Sequence, residues 1–287
     1  MTQRALLFSS LFSLLFSSSP SRADDLSKSV TFYASFDESY DADFGSGDRR
    51  MYTTLTREME DAKLGMNRED VSIDRDGGKY GGALKFAEKV DPLLLYKVEG
   101  NVDYEKADWS GTMSFWIRLD PEEDLKPGYC DPILLTDKSW DDACFFVDFS
   151  KDDVPRKFRG GFFCDKSVWN PKGLPWDEVP EKEQPFMVVD NPPFDHEEWT
   201  HVAMTFSNIN TGEKNGSIKL YMNGELKSSM EGREQTFTWD TEKAWIKIGY
   251  NLIGWFDELA FFDRELSSEE IGELHRRSED LSSGFGK

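Results

Sequence analysis

The sequence has little of what typifies disulfide-rich, nucleic-acid-binding or membrane-spanning proteins. Three cysteines among 287 residues are too few for a disulfide framework. Beyond residue 23 no stretch is apolar enough to cross a bilayer. Basic residues are scarce, since 34 lysines and arginines stand against 55 aspartates and glutamates, giving a net charge of −21. This acidity argues against nucleic acids and anionic membranes as partners, and it is compatible with calcium binding or simply with a solvated exterior.

Motifs of common hydrolases are missing as well. The chain has no G-x-S-x-G, and His196 and His201 are five residues apart, so they do not form the H-E-x-x-H zinc motif. Glycoside hydrolysis needs two carboxylates beside the scissile bond. Jelly-roll glucanases supply them as E-x-D-x-x-E, but Glu122 and Asp124 are followed by no third acid. The sequence therefore predicts a protein without catalytic activity, and a polysaccharide-active enzyme of another arrangement is the alternative.

Residues 1–23 have the organisation of a secretory signal. Arg4 provides a basic start, residues 5–16 are mostly apolar, and S-R-A at 21–23 resembles a cleavage site. The apolar run is too short, and too often interrupted by serine, to favour the alternative of a membrane anchor. We predict that the mature protein forms one domain over residues 24–287. It would be secreted, periplasmic or held at the cell surface, without membrane insertion.

Alternating apolar residues predict an antiparallel β protein. Residues 30–36 and 111–119 place their apolar side chains on one face of a strand. Residues 217–222 and 225–229 alternate in the same way, and Asn223 with Gly224 predicts a two-residue hairpin turn between them. At least nine such strands, separated by turns, indicate a two-sheet sandwich.

The end of the chain predicts a buried strand followed by a short helix. Residues 255–262 are apolar on both faces, which is typical of a strand inside a sandwich. Simple alternation predicts two faces: Phe256, Ala260 and Phe262 on one, Trp255, Leu259 and Phe261 on the other. Ser267 and Glu270 form the pattern of a capping box, which begins the C-terminal helix.

A loop-rich segment, residues 121–195, contains ten of the twelve prolines, all three cysteines and Trp140, Trp169 and Trp176. Loops stiffened by proline can hold aromatic rings in fixed positions. One hypothesis is that the three tryptophans bind a ligand; the other is that they fill a small satellite core beneath the loops.

The three cysteines allow at most one intramolecular disulfide. If residues 145–149 and 158–163 form a hairpin, Cys144 and Cys164 lie opposite each other, at a separation that is close to disulfide range. The sequence therefore predicts a bond between Cys144 and Cys164, with Cys130 free.

An acidic loop directly follows the first strand. Residues 37–48 carry five acids together with glycines and serines, a composition that suits either a hard cation or a solvated turn. Spacing alone leaves both interpretations open.

Taken in order, several motifs resemble the LamG-like jelly roll of the concanavalin A-like superfamily, which includes laminin G and pentraxin domains. They are FDE at 36–38, GKYGGALKF at 78–86, GTMSFWIRL at 111–119, WTHV at 199–202, LYMNG at 220–224, GWFDEL at 254–259 and LSSEEI at 266–271.

The resemblance implies an all-β, two-sheet antiparallel jelly-roll sandwich with adjacent first and last strands and a short C-terminal helix. That adjacency would bring Asp37 near Asp257, where related sandwiches often hold a structural calcium ion. Members of the family mostly bind glycans or proteins. We therefore expect an exported binding module for carbohydrate or an extracellular protein, in which Trp140, Trp169 and Trp176 stack on sugar rings. A polysaccharide-active enzyme and a structural module of an extracellular assembly are the alternatives.

Overall fold

The protein consists of two antiparallel β-sheets packed face to face. A computed structural model describes residues 26–55, 61–151 and 153–285, so the signal predicted at residues 1–23 lies outside the described residues. The strands are β1 (Val30–Ala34), β2 (Phe44–Gly45), β3 (Tyr52–Thr53), β4 (Lys63–Leu64), β5 (Val71–Asp74), β6 (Ala83–Phe86), β7 (Leu94–Lys97), β8 (Trp109–Arg118), β9 (Cys130–Thr136), β10 (Cys144–Phe149), β11 (Phe158–Phe163), β12 (Phe186–Val189), β13 (Thr200–Ile209), β14 (Gly216–Met222), β15 (Glu225–Arg233), β16 (Trp245–Tyr250) and β17 (Gly254–Phe262).

In the described ranges, helices are few and short. They are α1 (Lys166–Trp169), α2 (Ser268–Arg276) and 3-10 turns at Trp176–Glu178, Glu181–Glu183 and Ser282–Gly284. Helix α2 begins with the predicted capping box, in which the Ser267 hydroxyl accepts the Glu270 N–H and the Glu270 carboxylate accepts the Ser267 N–H. No helix within the described part of the chain is long and apolar enough to cross a membrane.

One sheet has nine strands and the other has eight. The first runs β15-β14-β13-β8-β17-β1-β2, with β6 paired to β17 and β5 paired to β6. The second runs β12-β11-β10-β9-β16-β7-β3-β4. This arrangement confirms the predicted all-β jelly-roll sandwich, including the antiparallel pairing of the first strand with the last.

The alternating residues fill the space between the sheets. Trp109 is 1% exposed and packs there against the aromatic rings of Tyr104, Phe145, Phe206, Phe237 and Trp239. The outer face of the nine-stranded sheet is covered by α2, whose Ile271 and Leu274 are buried with Tyr33 and Tyr221. The outer face of the eight-stranded sheet is covered only in part, by the loop segment that contains α1.

Strand β17 changes its pairing partner at Asp257 and Glu258. Residues 254–256 pair with β6, whereas residues 259–262 pair with β1. The register against β8 shifts at the same point, where Glu258 adopts a φ of 55°. The alternation predicted for this strand is therefore wrong beyond the bulge. The side chains that face the inter-sheet core are Phe256, Leu259 and Phe261, while Ala260 and Phe262 face outward.

The predicted disulfide between Cys144 and Cys164 is also wrong in this structure. The hairpin of β10 and β11 forms, but Cys144 lies opposite Phe163, one residue away from the predicted register. A shift of one residue turns a side chain to the other face of a sheet. Cys164 consequently packs in the inter-sheet core and Cys144 on the outer face, and all three cysteines, including Cys130, are buried free thiols.

Candidate functional site

A cleft of about 690 Å³ opens on the outer face of the eight-stranded sheet. Its floor is a row of outward-facing residues that the strand register places side by side: Lys247 on β16, Leu134 on β9, Phe146 on β10, Gly161 on β11 and Phe186 on β12. Gly161 leaves room for the Phe146 ring, because a Cβ there would lie 2.6 Å from that ring. This row is therefore mostly apolar, with Lys247 at one end.

Two of the predicted tryptophans form one end of the cleft. Trp140, from the loop between β9 and β10, is 48% exposed, and its ring centroid lies 5.5 Å from that of Trp176. Beneath them, Phe163 of β11 contacts both rings, at 5.6 and 6.0 Å between centroids. The structure thus holds two indoles beside the cleft, in edge-to-face contact with each other.

Trp169 lies behind this wall and does not line the cleft. It is half-buried and contacts Phe163 at 5.3 Å and Trp176 at 6.2 Å between ring centroids. Its indole N–H donates to the Asp141 carbonyl at 2.9 Å. For Trp169, the hypothesis of a satellite core beneath the loops describes the observed packing.

Tyrosines form the opposite end. Tyr129, just before β9, is 44% exposed, and Tyr250 ends β16. The guanidinium of Arg159 lies 5.3 Å from the Tyr129 ring centroid and 4.3 Å from that of Phe186. Flat rings therefore flank the floor at both ends, and polar groups lie between them.

A buried ion pair forms part of the floor. Asp148 of β10 is 3% exposed and lies opposite Arg159 of β11 in the register. Arg159 donates through Nε to Oδ1 of Asp148 at 2.8 Å and through its second terminal nitrogen to Oδ2. Burial raises the pKa of Asp148, and the Arg159 guanidinium opposes that shift.

Sequence reasoning missed Asp148, Arg159 and Lys247. A signal was available, because each is a charged residue at an outward position of an otherwise apolar strand. A charge at such a position is costly unless it has a partner or faces a polar site. Such charges could have indicated a polar site on the outer face of the sheet, but not which of the charged residues lie together in it.

The acidic pair predicted to bind calcium lies elsewhere, where β17 changes partner. Asp37 and Asp257 lie close enough that the charge of Asp37 contributes to raising the pKa of Asp257, after the larger effect of burial. Asp37 accepts the Gly82 N–H at 2.7 Å, and Asp257 accepts the N–H groups of Lys79 and Glu258 at 2.7 and 2.9 Å.

The carboxylate oxygens of Asp37, Asp257 and Glu258 are the kind of ligand that a hard cation such as calcium prefers. Asp37 and Asp257 have no ion pair, and Oε1 of the buried Glu258 has no hydrogen-bond partner within the described residues. Among those residues, however, no three histidine, cysteine, aspartate or glutamate side chains form a metal-binding group. Backbone carbonyls would have to complete a calcium shell around Asp37 and Asp257. Calcium binding stays a prediction.

The motifs quoted above and the two-sheet architecture agree with a family assignment. The family model Laminin_G_3, described as the concanavalin A-like lectin/glucanases superfamily, matches residues 100–272, which is more than half of the chain. The chain belongs to this superfamily. No curated protein sequence matches it significantly.

Solved structures show the same fold at low sequence identity. Domain 4 of AbnA, a GH43 extracellular arabinanase from Geobacillus stearothermophilus, was solved with arabinotriose; the match has 17% identity and a TM-score of 0.54, covering 86% of this chain and 98% of that domain. The binding domain of botulinum neurotoxin serotype D matches at 15% identity and a TM-score of 0.57, covering 88% of this chain and 51% of that chain. A binding domain of botulinum neurotoxin DC, solved with SialylT, matches at 11% identity and a TM-score of 0.56, covering 87% of this chain and 51% of that chain. This chain thus spans about half the length of the two neurotoxin binding domains.

Proposed function

We propose that this protein is an exported, non-catalytic module that binds carbohydrate in the cleft of the eight-stranded sheet. The observation that carries the proposal is the pair of indoles, Trp140 and Trp176, beside a floor that contains apolar and charged side chains. Sugar rings present apolar faces that stack on aromatic rings, and their hydroxyls require hydrogen-bonding groups at the edges. The structural neighbour solved with arabinotriose supports this class of ligand.

Export would follow from the secretory signal predicted at residues 1–23. The pairing of the buried acid on the floor argues against Asp148 as an acid catalyst. Asp148 is held by two N–H groups of Arg159, whereas an acid catalyst must be free to exchange its proton with the substrate.

Replacing Trp140 by alanine is expected to weaken oligosaccharide binding about tenfold, because one stacked ring contributes about 0.5–1.5 kcal/mol beyond its buried area. A glycan array identifies the ligand, and titration calorimetry with wild type and Trp140→Ala measures the loss. Product analysis of the same mixtures tests for cleavage.

The matched control is Trp199→Ala. Trp199 is also partly exposed, and its ring lies 5.0 Å from the Arg118 guanidinium, but it does not line the cleft. Equal loss of binding in both variants would contradict a site at Trp140. Release of shortened sugars would show that the protein is an enzyme and would contradict the proposal of a non-catalytic binding module.

We also propose a structural calcium ion at Asp37 and Asp257. At ten times its dissociation constant, calcium would add about 1.4 kcal/mol to the free energy of unfolding, which corresponds to a rise of a few degrees in Tm. Melting curves in calcium and in chelator measure this, and Asp257→Asn should abolish the difference. Identical melting curves of wild type in calcium and in chelator would contradict the proposed calcium site.

A further inference from the structure

The cleft reverses the charge balance of the chain. Its charged lining side chains are Lys89, Arg159 and Lys247 against Asp131 and Asp148, so cations outnumber acids. In the whole chain the acids dominate, 55 to 34. Fields of exposed charges are screened beyond about 10 Å at 0.1 M salt, so a ligand inside the cleft responds mainly to the local balance.

Of the three cations, Lys247 is the one that has neither a carboxylate nor a hydrogen-bond partner within the described parts of the chain. Arg159 is paired with Asp148, and the Lys89 ammonium donates to the Pro127 carbonyl at 2.7 Å at the rim. Among the described residues, no carboxylate lies within 4.0 Å of the Lys247 ammonium, and no hydrogen bond holds it.

The surroundings of Lys247 make its charge costly for folding. It lies in the middle of β16, between Leu95 of β7 and Leu134 of β9, and its side chain is half-buried. Burial lowers the pKa of its ammonium, and the neighbouring Cys144 and then Asp137 oppose that shift. An unpaired ammonium among apolar groups destabilises a fold in which a methionine of similar shape would pack without that cost.

A ligand that carries a negative charge would compensate for this cost. Hydrogen bonds between a charged donor and a charged acceptor are about twice as strong as those between neutral groups. The indoles of Trp140 and Trp176 would bind the ring faces of such a ligand, while the ammonium of Lys247 on the floor would bind its anionic group.

We propose that the cleft takes an acidic saccharide, a sugar chain that carries carboxylate or sulfate groups, and that Lys247 binds the anionic group. This rests on the proposed function and narrows it to one class of ligand.

Paired ligands that differ only in charge test the inference. One pair is a galacturonic acid tetramer and its methyl ester; the other is a sulfated galactan oligosaccharide and its desulfated form. By calorimetry at low salt, wild type is expected to bind the acidic member of at least one pair about tenfold more tightly. The pair that shows the preference distinguishes carboxylate from sulfate.

Variants assign the preference to Lys247. Lys247→Met should reduce the ratio of affinities to about one, and Lys247→Arg should keep most of it. Lys243→Met is the matched control: it removes the same charge four residues earlier, at an exposed lysine that pairs with Asp240 and does not line the cleft, and it should leave the ratio unchanged.

The possible outcomes separate the two proposals. Neutral sugars that bind as tightly as acidic ones would overturn the acidic ligand and leave the carbohydrate-binding function in place. A ratio unchanged in Lys247→Met would overturn the role of Lys247, and binding of no saccharide would overturn both proposals. If Lys247→Met does not fold, the wild-type ratio should still fall between 0.05 and roughly 0.5 M salt through screening. A ratio independent of salt would overturn the inference.

Discussion

Replacing Arg159 by methionine is expected to lower the free energy of unfolding by about 3–5 kcal/mol at neutral pH, because it leaves the buried carboxylate of Asp148 without a partner. Asp148 is 3% exposed, and Arg159 satisfies both of its oxygens. Urea unfolding of wild type and Arg159→Met measures the loss. Since burial already raises the pKa of Asp148, the variant should regain stability as the pH falls and the carboxyl takes up a proton.

Two comparisons distinguish this mechanism from general damage. The double variant Asp148→Leu with Arg159→Met removes both charges and should recover most of the loss, since apolar replacements of a buried pair are often nearly neutral. The exposed pair of Arg50 and Asp48 has the same two-pronged geometry, and Arg50→Met should cost far less than Arg159→Met, because solvent screens an exposed pair. A double variant as unstable as Arg159→Met would contradict the explanation.

Acid is expected to destabilise the protein through His201. This histidine is fully buried on β13; its Nε2 lies 2.8 Å from the Ser114 hydroxyl, and its Nδ1 has no partner among the described residues. Burial lowers the pKa of His201 to about 3, with smaller contributions from the charges of His275 and Lys79. The neutral imidazole is thus the form that fits the folded protein.

The sign of the effect follows from linkage. Below the unfolded-state pKa of about 6.5, the unfolded chain takes up a proton at His201 that the folded protein refuses until about pH 3. Stability from this group is therefore complete above pH 6.5 and falls as the pH falls, by about 2.5 kcal/mol between pH 7 and 4.5. Asp257 and Glu258 act in the opposite direction, because burial raises the pKa of each carboxyl in the folded protein.

A difference measurement isolates His201 from those acids. Free energies of unfolding for wild type and His201→Gln, measured between pH 7 and 4.5, should converge as the pH falls, because only wild type loses the His201 contribution. His196 is exposed and bonds to Asp124, so His196→Gln should not reduce the loss of stability in acid. Parallel curves for wild type and His201→Gln would show that His201 titrates normally.

The sequence predicted the strands better than it predicted their register. Alternation located β1, β8 and the hairpin of β14 and β15, because each has one face toward the core and one away from it. It failed for β17, where Glu258 adopts a left-handed conformation and the strand exchanges β6 for β1 as its neighbour. A bulge of this kind depends on which strands lie on either side, and that information is not local.

The same limitation explains the error over the cysteines. Strands β10 and β11 lie where they were predicted, yet their pairing differs by one residue from the register that would oppose Cys144 and Cys164. The long loop between them contains no two-residue turn that would fix the register.

For the cleft, the sequence offered Trp140 and Trp176 as candidates because loops stiffened by proline can hold aromatic rings in fixed positions, and it left a satellite core beneath the loops equally open. For Lys247 it contained a signal, a charge at an outward position of a mostly apolar strand, but it could not show which residues lie beside that lysine. Only the order of strands within the sheet places Lys247 beside residues from β9 and β10, more than a hundred positions away in the chain.

Gly161 has a consequence for how the cleft could diversify. Its missing side chain is the space in which the Phe146 ring rests, and even a methyl group would push that ring out of the floor. Chains that share this sandwich but carry a larger residue at the equivalent position would have a raised floor and therefore a shallower cleft. One position beneath the surface would then set the depth of the cleft through the place of the Phe146 ring, without changing the identity of any residue that touches the ligand.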